Sequence, residues 1–341
     1  MQFSIIIPAF NAIDTIEAAI SSVLTQDFND FEIVIIDDGS VDGTFEFVKT
    51  KYADNKSIKL AHQDNQGVAV ARNMGIKMSS GNWITFLDSD DTLEKDCLKK
   101  IYEIIKKNDG IDVIIGHLIE KTKTARVLDK SQYDGVFTGM DRIKLIESSI
   151  SLDLCRFKYK IVDNCRCIGA KVYKRSSLIN HEIEFPPNIK VFEDGIFNLY
   201  AYYFSNQIYI TKQVIYKYNR SDDSATRTYD DSKEHQYYKI LNLIHKFIIR
   251  FDLQKQLEPA FEYCQYELFY NRFENIAKRS NKICGYNTIK EELTTISSFN
   301  EITPRYLSKK RGIAFRIIRT KSALLVVLYL YICGLYNNLK R

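Results

Sequence analysis

"FEIVIIDDGSVDGT", residues 31 to 44, is an apolar, β-branched run that ends abruptly in paired carboxylates and a Gly-Ser turn. A run with no polar alternation predicts a short strand buried on both faces, as in a parallel sheet. The pattern recurs outward in both directions: residues 3–7 (FSIII), 58–61, 83–87 (WITFL) and 112–119 have the same character. Helical periods lie between them. In residues 14–25 Ile16, Ile20, Val23 and Leu24 share one face, and Asp14 with Glu17 three residues on has the form of a capping box. Residues 67–79 and 93–107 repeat the period, the second opening behind Thr92 with Glu94 in its first turn. The alternation over the first 110 residues predicts a doubly wound α/β sheet, in which ligands sit beyond the carboxyl ends of the strands.

Pro8, Asp37, Asp38 and Asp88 all fall at such ends, so they gather along one edge of the expected sheet. Pro8 cannot donate a ladder hydrogen bond, and is expected to halt the ladder and turn the chain outward. The edge is acidic: "DDGSVDGT" (37–44) follows one strand and "DSDD" (88–91) another. Converging carboxylates without paired cations repel and raise their own pKa values, so a divalent cation or a set of donors is expected among them. Hard oxygen ligands suit Mg²⁺ or Mn²⁺ shared with a diphosphate. Either cluster alone would also read as an ordinary Asx turn, and Asp91 reads as the cap of the helix that follows, in preference to a carboxylate supporting the cation's ligands from behind. Together at adjacent strand ends they mark a site.

Composition narrows the classes. The chain has 341 residues, 45% of them hydrophobic, enough for one large or two ordinary domains. The net charge of +5 is local, because residues 305–341 hold nine Lys or Arg and no acid. That placement argues against a nucleic-acid groove in the main body and for an anionic surface, such as a bilayer leaflet, met by the tail. Seven cysteines, an odd number with no signal peptide before them, fit reduced thiols in a cytoplasmic protein. Cys165 and Cys167 match neither CxxC nor a zinc knuckle, and the five histidines show no HExxH spacing. No GxGxxG follows the first strand and no GxxxxGK[ST] occurs, which removes nicotinamide oxidoreductases and P-loop phosphotransferases.

"IIIPAFN" (5–11), "IVIIDDGSVDGT" (33–44), "NQGVAVARNMGI" (65–76) and "ITFLDSDD" (84–91) occur in the order and spacing of family 2 glycosyltransferases, whose catalytic domain has the GT-A fold. The likeness continues through "GAKVYKRSSL", "FPPNIKVFEDGIFN" (185–198) and "YKYNRSDDSATR" (216–227), which resemble acceptor-side motifs of bacterial polysaccharide, O-antigen and capsule transferases. The resemblance implies a GT-A catalytic domain over 1–228, with a nucleotide-binding half (1–110) and an acceptor half (111–228). It also implies roles. Pro8, Ala9, Phe10 and Asn11 would line the base pocket of a UDP-sugar; Asp38, beside Gly39, would accept the uracil imide N–H. Arg72 would lie against the nucleotide or its phosphates, Asp88 and Ser89 would meet the ribose, and Asp90 would hold Mn²⁺ or Mg²⁺. Glu193 and Asp194 match the family's acidic pair, with Asp194 as the expected general base of an inverting transfer. Arg220 is a weaker donor contact, since the family commonly places its basic residue where this chain has Asn219.

Beyond residue 228 the chain reads without help from the resemblance. Residues 229–304 are expected to form a helical appendage, with Tyr237, Ile240, Leu241, Ile244, Phe247 and Ile248 at helical spacing. Residues 305–341 form a basic and apolar tail. Its apolar stretch from Ser322 to Tyr336, 15 residues, falls short of the roughly 20 that span a hydrocarbon core, so a shallow anchor on the cytoplasmic leaflet is expected, against a helix packed on the protein. By family analogy the acceptor is a lipid-linked oligosaccharide. The rival reading from another class is a transferase-like module that binds a nucleotide sugar without turning it over.

Overall fold

The structure is a computed structural model and describes residues 1–121, 126–127, 133–161, 164–219, 236–277, 282–295 and 302–339. It divides into two compact units, Met1–Ser149 with Lys160–Ser221, and Ile150–Tyr159 with Asp222–Arg341.

The first unit runs β1 (Phe3–Ala9), α1 (Ile16–Leu24), β2 (Phe31–Asp38), α2 (Thr44–Lys51), β3 (Ile58–Gln63), α3 (Val68–Met78), β4 (Trp83–Phe86), β5 (Thr92–Leu93), α4 (Cys97–Lys107), β6 (Ile111–Lys121), β7 (Arg126–Val127), β8 (Gly135–Phe137), α5 (Gly139–Ile150), β9 (Lys171–Lys174), α6 (Arg175–Asn180), α7 (Glu193–Phe204) and β10 (Gln207–Asn219). Its sheet has the order β3-β2-β1-β4-β9-β6-β10-β5, with β7 on β6 and β8 on β10. The first four strands in that order are parallel, so their carboxyl ends share one edge. β9 is antiparallel to both β4 and β6, and joins the nucleotide-side strands to the later ones. This is the mostly parallel α/β architecture expected. β1 and β2 are buried along their whole lengths, which is why their sequences carry almost no polar alternation.

Three local expectations are corrected, the first in part. Pro8 halts the ladder on one side only: pairing towards β4 ends at Ile6, whereas towards β2 Pro8 pairs with Ile36 and Ala9 with Asp37. Pro8 lies on the same side of the strand as Ile6, whose carbonyl takes the last bond from Leu87 beyond β4. Its missing N–H therefore faces a side where pairing has ended, and no ladder bond is lost. Asp14 and Glu17 form no capping box; α1 opens after Thr15 without a side-chain cap, and Glu17 reaches Lys51 instead. Thr92 and Leu93 are not helical. They pair with Lys217 and Tyr216 of β10, and α4 starts only at Cys97 behind Asp96, so Asp91 caps no helix.

Close packing aims α3. A Cβ at Gly75 would stand 2.3 Å from Ile6 Cγ2, so glycine lets the helix approach β1 and brings Arg72, one turn earlier, to the sheet edge.

The second unit comprises α8 (Gln236–Arg250), α9 (Gln254–Ala277), α10 (Lys282–Thr295), α11 (Lys309–Arg319) and α12 (Ala323–Leu339), with a π-helical turn at Leu154–Tyr159. Residues 150–159 are held to these helices by buried polar contacts: Ser151 Oγ and the Asp153 amide donate to Glu267 (2.5 and 3.0 Å), and Arg311 pairs with Asp153 (3.0 Å). Among the described residues, no helix is long and apolar enough to cross a membrane.

Candidate active site

The loop after β2 and the β1–α1 loop form one structure. Side chains of "DDGSVDGT" take the amides of the β1–α1 loop: Asn11 donates to Ser40 Oγ (2.9 Å), Ala12 to Thr44 Oγ1 (2.9 Å) and Ile13 to Asp42 Oδ2 (3.0 Å), while Val41 donates back to Asn11 Oδ1 (2.9 Å). Ser40, Asp42 and Thr44 were not singled out from the sequence; their spacing is the signal of side chains that substitute for missing backbone partners. Gly39 is left-handed at φ +77°, and a Cβ there would meet the Asn65 amide nitrogen at 2.8 Å. Phe10, 50% exposed, stands out from this frame, with Pro8 and Ala9 buried behind it.

Asp38 is buried and already engaged. Its carboxylate accepts from Gln63 Nε2 (2.7 Å) and from the Gln66 and Gly67 amides (2.9 and 2.8 Å), which fixes the entry to α3. A carboxylate has about four lone-pair positions, so one is left for a further donor. Its neighbour Asp37 holds His62 Nδ1 (2.7 Å) and the Ser40 amide (3.2 Å).

Arg72 is the hub of the edge. Its buried guanidinium donates to Asp88 Oδ1 (2.9 Å), Asp194 Oδ1 (2.7 Å) and Glu193 Oε1 (3.3 Å), and lies over the Phe185 ring at 5.2 Å. One cation thus joins the loop after β4 to the first turn of α7, two segments more than a hundred residues apart. Asn73 makes the companion clamp, exchanging two 2.8 Å hydrogen bonds with the backbone of Phe185. Beneath the charges Phe185 and Phe197 stack at 4.1 Å, with Phe86 edge-on to both. Asn73 and this aromatic floor escaped the sequence reading, since their partners are distant in the chain.

Asp194 also accepts from the Ile168 amide at Oδ2 (2.9 Å). Burial raises its carboxyl above the ordinary range; Asp88 adds to the rise, while Arg72 and the Ile168 amide oppose it. Burial, then the Asp194 charge, raises Glu193 as well. A carboxylate with raised proton affinity at an opening of the edge is suited to take a proton.

Asp91 is buried, accepting from the Tyr216 hydroxyl (2.6 Å) and the Asn219 amide (2.7 Å). Burial pushes its carboxyl up to about 7. The Asn219 side chain grips the Asp90 carbonyl (2.7 Å) and the Asp88 amide donates to Tyr216 Oη (3.3 Å), so the acidic turn hangs from the end of β10. Ser89 is half-buried in the same turn. Arg220 lies outside the described residues.

No group of three His, Cys, Asp or Glu side chains converges on a metal-sized space among the described residues. Asp90, however, meets no cation and no side-chain donor among them; burial and then Asp88 raise its carboxyl. An exposed carboxylate short of positive charge is a donor of the kind that would suit Mg²⁺ or Mn²⁺.

The family model described as "Glycosyl transferase family 2" matches residues 4–181. The chain is 27% identical over 261 residues to the poly(ribitol-phosphate) β-N-acetylglucosaminyltransferase TarS of Staphylococcus aureus, covering 75% of this chain but 42% of that protein. It is 27% identical over 343 residues to TarP of the same organism, likewise a poly(ribitol-phosphate) β-N-acetylglucosaminyltransferase, covering 96% and 98%. Among solved structures, residues 1–349 of S. aureus TarS in complex with UDP-GlcNAc superpose with a TM-score of 0.67 at 20% identity, covering 98% of this chain and 92% of that one.

Proposed function

Since the chain belongs to glycosyl transferase family 2 and has its GT-A fold, we propose that it transfers a hexose or N-acetylhexosamine from a UDP-sugar, with inversion, to a hydroxyl of a surface glycopolymer. The carrying observation is Arg72, which ties the donor-side Asp88 to the acceptor-side Asp194. Phe10 gives the uracil an aromatic wall, and the lone pair left on Asp38 accepts its imide N–H. Asp194 takes the proton of the acceptor hydroxyl as its oxygen bonds to the anomeric carbon. The bond from that carbon to the diphosphate breaks on the opposite face, and UDP leaves with the electron pair. Asp90 is the residue to hold a Mn²⁺ or Mg²⁺, which when bound would neutralise charge on the departing diphosphate. The residues around it contribute chiefly by holding donor and acceptor in line. The domain limits follow the same reading: a catalytic domain over 1–228, a helical appendage over 229–304 and a tail over 305–341.

For the acceptor we favour a lipid-linked oligosaccharide at the cytoplasmic leaflet, with a poly(ribitol phosphate) chain, the polymer named for the relatives, as the next to test. A transferase-like binder without turnover is disfavoured by the presence of Asp90 and Asp194 together.

A screen of sugar nucleotides by thermal unfolding, with and without Mn²⁺, tests this. At a hundredfold excess over Kd a ligand adds about 2.7 kcal/mol to stability. That corresponds to a Tm rise of about 4–6 °C, expected for one UDP-sugar and UDP but not for GDP, with slow UDP release from the same donor. Stabilisation by no uridine nucleotide would end the reading, and binding without UDP release or transfer would favour the non-catalytic one.

The leaflet assignment rests on α12. Ala323, Val326 and Leu330 are buried, whereas Leu324, Leu325, Leu328, Tyr331 and Ile332 form an exposed stripe at helical spacing. Arg316, Arg319 and Lys321, exposed on the chain leading into it, complement an anionic leaflet. The protein is expected to sediment with phosphatidylglycerol-rich vesicles, and Leu328→Asp with Ile332→Asp to weaken that binding about tenfold or more. If the stripe instead mediates self-association, or vesicle binding survives both substitutions, the assignment fails.

A further inference from the structure

Lys171, the first residue of β9, is wholly buried. Its Nζ donates to the carbonyls of Asn164 (2.6 Å) and Cys167 (2.5 Å), and among the described residues no carboxylate pairs with it directly. A buried ammonium held only by backbone oxygens is costly, and an apolar side chain of similar size would pack there at lower cost. The surroundings point to what the charge does. Both carbonyls belong to the loop Asn164–Ala170, and the same loop is gripped at every carbonyl from 164 to 167. Asn198 Nδ2 donates to Arg166 and Cys167 (3.0 and 3.2 Å), and Tyr202 Oη and Ser149 Oγ donate to Cys165 (2.9 and 3.2 Å). Asn198 is itself oriented by the Tyr173 hydroxyl (2.7 Å). What the gripped loop presents is the Ile168 amide, 2.9 Å from Asp194 Oδ2.

We propose that Lys171 is a positioning residue for the transfer reaction: it locks the 164–170 loop so that the Ile168 amide fixes the Asp194 carboxylate. The inference rests on the reading of Asp194 as general base. The charged and titratable groups around Asp194 are Arg72 from α3, Asp88 after β4, Glu193 beside it, Cys167 in the loop, and Lys171 and Tyr173 from β9. Of these, Arg72 and Lys171 are the two cations that lower its proton affinity. Taking away the Lys171 charge raises that affinity. The base must be ionised to act, so activity is then lost at a higher pH as the solution is acidified.

The test is steady-state kinetics on the full chain with Lys171→Gln, which keeps a donor and removes the charge. Its kcat is expected to fall about 10- to 100-fold with donor KM within about twofold of wild type. The acid limb of the kcat profile is expected to move to higher pH. Lys171→Arg, which keeps the charge, is expected to hold the limb at its wild-type position. A folded Lys171→Gln with wild-type kcat and an unmoved acid limb overturns the proposal. Should Lys171→Gln not fold, Asn198→Ser addresses the same loop while leaving the ammonium in place. It is expected to lower kcat without moving the limb, and wild-type kcat there overturns the positioning role. Failure of the base reading looks different, because Asp194→Asn itself would then turn over normally. An inactive Asp194→Asn beside a normal Lys171→Gln sinks this inference alone.

Discussion

Asp194→Asn is expected to lower kcat by about 10²–10⁴-fold, the range that a general base contributes, while UDP still raises the melting temperature as it does in the wild type. The substitution is nearly isosteric, so the site keeps its shape and loses the proposed proton acceptor. Asn can satisfy only one of the two donors that converge on Asp194. If its amide oxygen takes Arg72 Nη1, its NH₂ faces the Ile168 N–H, and the reverse orientation opposes two donors at Arg72. Part of the loss is therefore positional, and Glu193→Gln separates the contributions. Glu193 shares the same first turn of α7 and the same guanidinium, but at 3.3 Å against 2.7 Å for Asp194. It is expected to cost about tenfold or less. Asp194→Asn with turnover within about tenfold of wild type would remove Asp194 as the base, since positioned bases contribute about 10² or more. Equal losses from both substitutions would instead assign the effect to the charge balance around Arg72.

The edge itself was legible because it is written locally. Uninterrupted apolar runs gave the strands, and acids placed directly after them marked the sheet edge that carries the candidate site. What the chain hides is which acid does what. Asp38 and Asp91 sit in the same kinds of turn as Asp88 and Asp90, yet Asp38 is taken up by the amides entering α3 and Asp91 by Tyr216 and Asn219. Their partners come from 25 to 128 residues away, and no periodicity carries that information. The helix expected over 93–107 failed for a related reason. Thr92 and Leu93 suit a first turn by propensity, but pairing with β10 offers them backbone partners from a strand that the sequence around them does not announce. Pro8 shows the converse: its local rule is sound, and the outcome turned on which neighbour had already ended.

Arg72→Met is expected to destabilise the protein by about 3–5 kcal/mol and to reduce kcat by at least about 10²-fold, because it leaves Asp88, Glu193 and Asp194 facing one another without their shared cation. Burial already raises Glu193 and Asp194, so with the guanidinium gone the favourable response is for them to take up protons. Asp194 then arrives at the reaction protonated. Arg72→Lys is not a rescue: a point charge on a flexible stem cannot present two nitrogens to carboxylates on opposite segments or lie flat over Phe185. The decisive comparison is the double substitution Arg72→Met with Asp194→Asn. If the instability of Arg72→Met comes from an uncompensated buried carboxylate, neutralising Asp194 removes part of it, and denaturant midpoints should show the double variant more stable than Arg72→Met alone by about 1 kcal/mol or more. Activity does not return, since the base is gone. Simple additivity of the two stability losses would mean that Arg72 acts by filling space over Phe185, and the link between the two halves of the site would then be a matter of packing and not of charge.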